Sequence, residues 1–162
     1  MNPLALQKRE PKRDFDQVLN YVRQLHGQLV AMTPVTRDNL GYCDFPGVYL
    51  FSEGESHLYV GRSRKVKKRI LQHSQQSSTE AHFAFRLARD EVGIRKPTYK
   101  KEGSRKELLK HAPFRAAFEQ EKKRIAKMAI RYVRVDDSMT QALLEIYTST
   151  VLDAWYNEFK TT

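Results

Sequence analysis

At 162 residues and 40% hydrophobic composition, the chain is long enough for one ordinary core and too short for two generous ones. No run approaches the ~18 consecutive apolar residues of a membrane span, and no signal-peptide-like apolar stretch follows the charges of residues 1–13. Lys and Arg outnumber Asp and Glu by 29 to 19, a net charge of +10 that points to a polyanionic partner, most often nucleic acid.

The one cysteine, Cys43, excludes an internal disulfide and a cysteine-built zinc site, which fits a reducing, cytoplasmic setting. Residues 1–13 read as a polar leader. From Asp14 onward, Phe15, Val18, Leu19, Val22, Leu25 and Leu29 recur at helical spacing and make one apolar stripe. Pro34 ends that helix, and residues 34–46 read as a loop, so 14–45 form an N-terminal helical extension.

A hairpin follows. Val48 and Leu50 alternate with Tyr49 and Phe51, then Leu58 and Val60 alternate with His57 and Tyr59. The polar linker from Ser52 to Ser56 contains Gly54 and suits a tight connection. With Tyr49 opposite Tyr59, the residues Val48, Leu50, Leu58 and Val60 share one face and both tyrosines project from the other. A one-residue slip would mix the two sets.

Directly after the second strand, Arg62, Arg64, Lys65, Lys67, Lys68 and Arg69 place six basic residues within eight positions. A helix over 63–75 is predicted, with Val66, Ile70 and Leu71 buried and Arg62, Lys65, Arg69 and His73 along one polar side. Ser77 to Glu80 and Ser104 to Glu107 are capping-box patterns. Between them come a helix over 83–92 stopped near Gly93 and an exposed basic loop over 94–103. Pro113 suits the first turn of a Lys- and Arg-rich helix that ends near Met128. Residues 129–135 alternate as a third strand. Ser138 to Gln141 opens a last helix through Leu143, Leu144, Tyr147, Val151, Leu152 and Trp155. The sum is an α+β fold, three strands covered by helices.

Gly47-Val48-Tyr49 and Tyr59-Val60-Gly61 resemble the paired strand motifs of the GIY-YIG nuclease superfamily, at about its usual interval. Arg69, ten positions after Tyr59, matches the family's catalytic arginine; His73 matches the His or Tyr one turn later. Arg62 matches a basic residue after the second glycine, Glu145 the metal-binding glutamate, and Asn157 an asparagine about a dozen residues beyond it. Taken singly these residues read as sheet aromatics or solvated charges; order and spacing together carry the resemblance.

The resemblance implies a small three-stranded antiparallel sheet flanked by helices, in a single domain over 14–162 with a helical insertion over 78–128. It implies a metal-dependent endonuclease hydrolysing phosphodiester bonds in DNA. Tyr49, Tyr59, Arg69, His73 and Glu145 would be catalytic, with Glu145 holding Mg²⁺ (or Mn²⁺). Arg62, Lys65, Lys68 and Asn157 would bind phosphate. An unbroken last helix would put Asn157 about 120° around from Glu145, so the helix must end before it, though no Pro or Gly marks the break. The clusters at 62–69, 95–106 and 122–127 are expected to grip nucleic acid, Lys122, Lys123, Arg124 and Lys127 among them. The alternative is a non-catalytic basic DNA- or RNA-binding module on the same fold. A nuclease with one active site must form a homodimer or act twice to break both strands.

Overall fold

The computed structural model describes residues 13–75, 81–94, 104–157 and 159. Two helical layers sandwich a three-stranded antiparallel sheet. The element order is α1 (Phe15–Ala31), β1 (Gly47–Glu53), β2 (Ser56–Ser63), α2 (Val66–Ser74), α3 (His82–Glu91), α4 (Arg105–Leu108), α5 (Ala112–Ile125), β3 (Ala129–Arg134) and α6 (Ser138–Val151). In space the strands run β2-β1-β3.

The central strand is buried on both faces, and the period-2 alternation of its side chains divides the core. Val48, Leu50 and Val60 face α1 and α6, meeting Val22, Leu25, Leu29 and Leu144. Tyr49, Phe51 and Ile130 face α2, α3 and α5, meeting Ile70, Phe83, Phe114 and Phe118. The helices of the 78–128 region thus share one core with the Tyr49 face of the sheet.

The observed register pairs Tyr49 with Gly61 and Phe51 with Tyr59, not Tyr49 with Tyr59. The offset from the expected pairing is even, so both tyrosines still emerge on the same face. A β-bulge between Phe51 and Ser52 resets the register to Ser52 opposite His57. Leu58 falls at this irregularity and packs against the Tyr49 cluster, not with Val48 as expected. Gly47 and Gly61 are sites of close approach: a Cβ on Gly47 would overlap the Val133 carbonyl, and one on Gly61 the Tyr49 phenol.

Each sheet edge carries a partner segment over part of its length. Beside β3, Val35 and Ile130 exchange two backbone hydrogen bonds, at 2.9 and 2.8 Å. Beside β2, the Tyr156 N–H donates to Leu58 O at 3.0 Å, and the Asn157 amide brackets Val60, accepting from its N–H at 2.8 Å and donating to its carbonyl at 2.7 Å.

α1 begins where expected: the Asp14 carboxylate accepts from the Asp16 N–H, and Phe15 remains exposed at its start. α2 starts three residues later than predicted, because β2 continues through Ser63. Its leading amides donate to the loop before β1, Val66 N–H to Phe45 O at 3.0 Å and Lys67 N–H to Cys43 O at 3.1 Å. Arg62 is therefore a strand residue, outside the helical spacing assigned to it. His73 is buried, not on a polar side: Val66, Ile70 and His73 stand at i, i+4 and i+7 on the face packed against the core.

α3 ends before Gly93, whose φ of +77° suits a residue without a Cβ. α4 is a single turn, with Ser104 accepting from the Glu107 N–H. The pattern Ser77 to Glu80 and most of the basic loop lie outside the described residues. On α5, Lys122 is 1% exposed and reaches Glu119 at 2.7 Å; Arg124 joins Glu53 and Glu121. Lys122 does not face solvent for nucleic acid, and Arg124 is engaged with carboxylates.

α6 is capped by Asp137, one residue earlier than expected, whose carboxylate reaches the Thr140 N–H at 2.9 Å. It ends at Val151, so Trp155, expected on its apolar stripe, lies beyond it and is 72% exposed. The break is made by Asp153 at φ 49°, with Ala154 N–H returning to Ser149 O at 2.8 Å. Asp tolerates this left-handed conformation better than most residues with a Cβ, and the reversal brings Asn157 back to β2. No helix among the described residues is long and apolar enough to cross a membrane.

Candidate active site

Tyr49 is held where a phenol is least able to ionise. Its ring crosses the neighbouring strand over Gly61 and lies among Phe51, Tyr59 and His73. Only 1% of it is exposed. Burial, then the nearby Tyr59, holds its pKa well above that of a free phenol, with Arg69 pulling the other way.

Its hydroxyl is 2.7 Å from His73 Nε2. Burial first, then the neighbouring Arg69, His82 and Arg86, lower the His73 pKa to about 3, so the imidazole is neutral at physiological pH. His73 Nδ1 is buried with no hydrogen-bond partner among the described residues. That orphan atom leaves Tyr49 as the polar group to which the ring is tied.

In front of this pair opens a cleft of about 380 Å³ lined by Tyr49, Tyr59, Arg62, Ser63, Arg64, Arg69, Ser138, Gln141 and Glu145. Tyr59 stacks on Phe83, with ring centroids 4.8 Å apart and planes within 13°, while Arg86 lies 5.9 Å above its ring. Burial raises the Tyr59 pKa and Arg86 offsets part of that. Arg69 enters from α2 and donates to Gln72 Oε1 at 3.4 Å. Glu145 enters from α6, and Arg62 Nε donates to its Oε2 at 2.9 Å. Burial raises the Glu145 carboxyl above the usual range, against the pull of Arg62 and Arg86.

Five of the expected residues, Tyr49, Tyr59, Arg62, Arg69 and Glu145, thus line one cleft. His73 stands behind Tyr49. Lys65 is exposed at the N-cap of α2, outside the cleft lining, and Lys68 lines a different groove. Asn157 is committed to the β2 backbone through both ends of its amide. Arg64 was expected only as part of the basic cluster at 62–69; Ser63, Ser138 and Gln141 were not anticipated. Gln141 had a legible signal, one turn before Glu145 on the same helix, where i and i+4 share a face. Its Nε2 donates to Val135 O at 2.7 Å, which fixes the amide at the cleft wall.

The GIY-YIG catalytic domain family matches residues 45–150. The chain belongs to the GIY-YIG family. UvrABC system protein C of Aquifex aeolicus (strain VF5) is 44% identical over 36 residues, 22% of this chain and 6% of that protein. The chain therefore matches a small part of that relative's length. No solved structure matches.

Within this GIY-YIG chain, the glycines of the naming motifs do mechanical work. Gly61 makes room for the phenol of the first motif, and Gly47 lets β1 approach β3 at Val133. Glu145 is the one carboxylate among the described residues lining the cleft. A hard divalent cation bound through one carboxylate, with water and phosphate oxygens as its other ligands, suits that donor set. Among the described residues no cluster of three or more His, Cys, Asp or Glu offers an all-protein cage.

Proposed function

We propose that this protein is a divalent-metal-dependent endonuclease that hydrolyses phosphodiester bonds in DNA. The observation that carries this reading is the convergence of Tyr49, Tyr59, Arg69 and Glu145 on one cleft, from β1, β2, α2 and α6. Arg62 and Arg64 add positive charge at the same mouth.

Arg69 binds a phosphoryl oxygen through its planar guanidinium and neutralises charge as it develops there. Glu145 would hold Mg²⁺ or Mn²⁺, and the ion would supply Lewis acidity toward the phosphate and the departing 3′ oxygen. Tyr49 accepts a proton from the attacking water while passing its own hydroxyl proton to His73 Nε2. The neutral ring offers a lone pair at Nε2 in the tautomer protonated at Nδ1. Phosphate entering the cleft brings negative charge toward His73, raises its proton affinity and opposes the influence of Arg69. Tyr59, fixed by its stack on Phe83, orients the water or the phosphate. Arg62, paired with Glu145 in the free protein, would be available to a phosphate oxygen if Glu145 turned to a bound cation. A homodimer, or two successive turnovers, would be needed for a double-strand break.

The test is incubation of supercoiled plasmid with wild-type and Glu145→Ala protein, with and without Mg²⁺. Metal-dependent nicking by the wild type alone is expected, with DNA binding retained in both. Binding without cleavage by either protein would favour a non-catalytic nucleic-acid-binding module.

A further inference from the structure

α2 has a second exposed side. Around the helix from Arg69, α2 and the segment before β1 enclose a groove of about 440 Å³ lined in part by Tyr42, Asp44, Lys67, Lys68 and Leu71. The hydrogen bonds from Val66 to Phe45 and from Lys67 to Cys43 fix the two walls together. Tyr42 is 83% exposed, the most exposed large apolar residue among those described. The edge of its ring system is braced by Phe45, with centroids 6.5 Å apart. A large aromatic kept in water beside two lysines has no packing role in the core.

We propose that this groove is a subsite for an unpaired nucleotide of the DNA strand whose phosphate occupies the cleft, with the base stacked on Tyr42 and its flanking phosphates against Lys67 and Lys68. The proposal rests on reading the cleft as a phosphodiester site. An aromatic face with adjacent cations is the usual means of holding single strands, because every base has a π-face and a paired duplex keeps its own hidden. Asp44 repels phosphate but accepts from a base amino group, so it fits the base end of the groove. The cleft and the groove share α2. A helix is about 10–12 Å across with its side chains, so the stacked base lies within a few nucleotides of the scissile phosphate. A substrate with a flap, gap or overhang would fill both sites.

The test is fluorescence anisotropy in EDTA, where no cleavage intervenes, using a fully paired DNA duplex and the same duplex with a short single-stranded overhang. Tyr42→Ala is expected to weaken overhang binding about 5-fold or more, leave the paired duplex unchanged, and be rescued by Tyr42→Phe. Lys67→Ala combined with Lys68→Ala is expected to flatten the salt dependence of overhang binding by about one to two units of slope. Equal losses on both DNAs, or no loss, would overturn the subsite, as would binding confined to an RNA overhang. Because Tyr42 is so exposed, its removal does not threaten the fold. The binding result is independent of the plasmid assay: nicking can fail while the Tyr42 discrimination persists, and the reverse.

Discussion

The hydroxyl of Tyr49 and Nε2 of His73 lie 2.7 Å apart in a pocket that favours the neutral form of both rings. Protonating His73 would bury a cation beside Arg69, and ionising Tyr49 would bury an anion without enough compensation. The pair is stable as long as neither carries charge.

That arrangement has a thermodynamic consequence. The His73 pKa is depressed in the folded protein, from near 6.5 to about 3, so below pH 6.5 the unfolded chain binds more protons than the native one. Stability should therefore fall as pH drops from 6.5 toward 3. From this residue alone the loss is about 2 kcal/mol between pH 6.5 and 5. Urea denaturation at both pH values should show a shallower decline for His73→Gln. An identical decline would assign the effect to other groups.

Gly61→Ala places a methyl group against the Tyr49 ring. Overpacking of this kind costs about 1–3 kcal/mol, and relief requires Tyr49 to leave its position. Nicking should fall by about 100-fold, on the scale of losses when a reacting group is misplaced by an ångström. Denaturation midpoints measured beside rates would separate displacement from unfolding.

Arg62 lowers the Glu145 pKa that burial raises. Removing the guanidinium therefore leaves the carboxylate protonated to higher pH. The acid limb of the nicking profile should move upward in Arg62→Ala, beyond any drop in rate from lost phosphate binding. A limb at the wild-type position would mean that Glu145 is not the group titrating there.

The Asn157 amide holds β2 through Val60. Asn157→Ala should cost about 1–3 kcal/mol and loosen the strand that carries Tyr59 and Arg62. Asn157→Asp keeps the acceptor for Val60 N–H but sets a carboxylate against Val60 O, so it should not restore stability. Hydrogen exchange at Val60 reads the edge directly. A role confined to substrate contact would leave that exchange unchanged.

Lys122→Ala should lower stability by about 1–3 kcal/mol and leave the salt dependence of DNA binding unaltered, since its ammonium lies inside with Glu119. Lys123→Ala, at an exposed neighbour on the same helix, is the companion variant for the salt slope. A flatter slope with Lys122→Ala would contradict its burial.

Much of the architecture was legible because the relevant patterns are local. Alternation through Val48 to Phe51 marked the central strand, and the spacing of Val22, Leu25 and Leu29 marked the buried face of α1. The two tyrosines were assigned to one face despite an incorrect partner, since an even register offset preserves side. The bulge beside Ser52 depends on two strands together, so the turn sequence did not disclose where Leu58 would go. His73 shows a different difficulty. Its spacing from Val66 and Ile70 pointed inward, but a titratable residue in a cationic run invited a polar assignment. Lys122 likewise carries a charge that reads as surface until its packing is known. The turn at Asp153 lacked glycine, and the positive φ of Asp153 with the hydrogen bond from Ala154 to Ser149 shows how the chain reverses there. The second groove joins residues from before β1 to α2 and has no contiguous signature.

The segments of Val35 and Tyr156 to Asn157 occupy the two rims of the sheet. Open rims invite strand-by-strand growth between molecules. With the rims blocked at these points, two copies acting together on DNA, as proposed, would meet more readily through other surfaces or through the DNA itself. Continuous intermolecular sheet formation would require one of those segments to peel away.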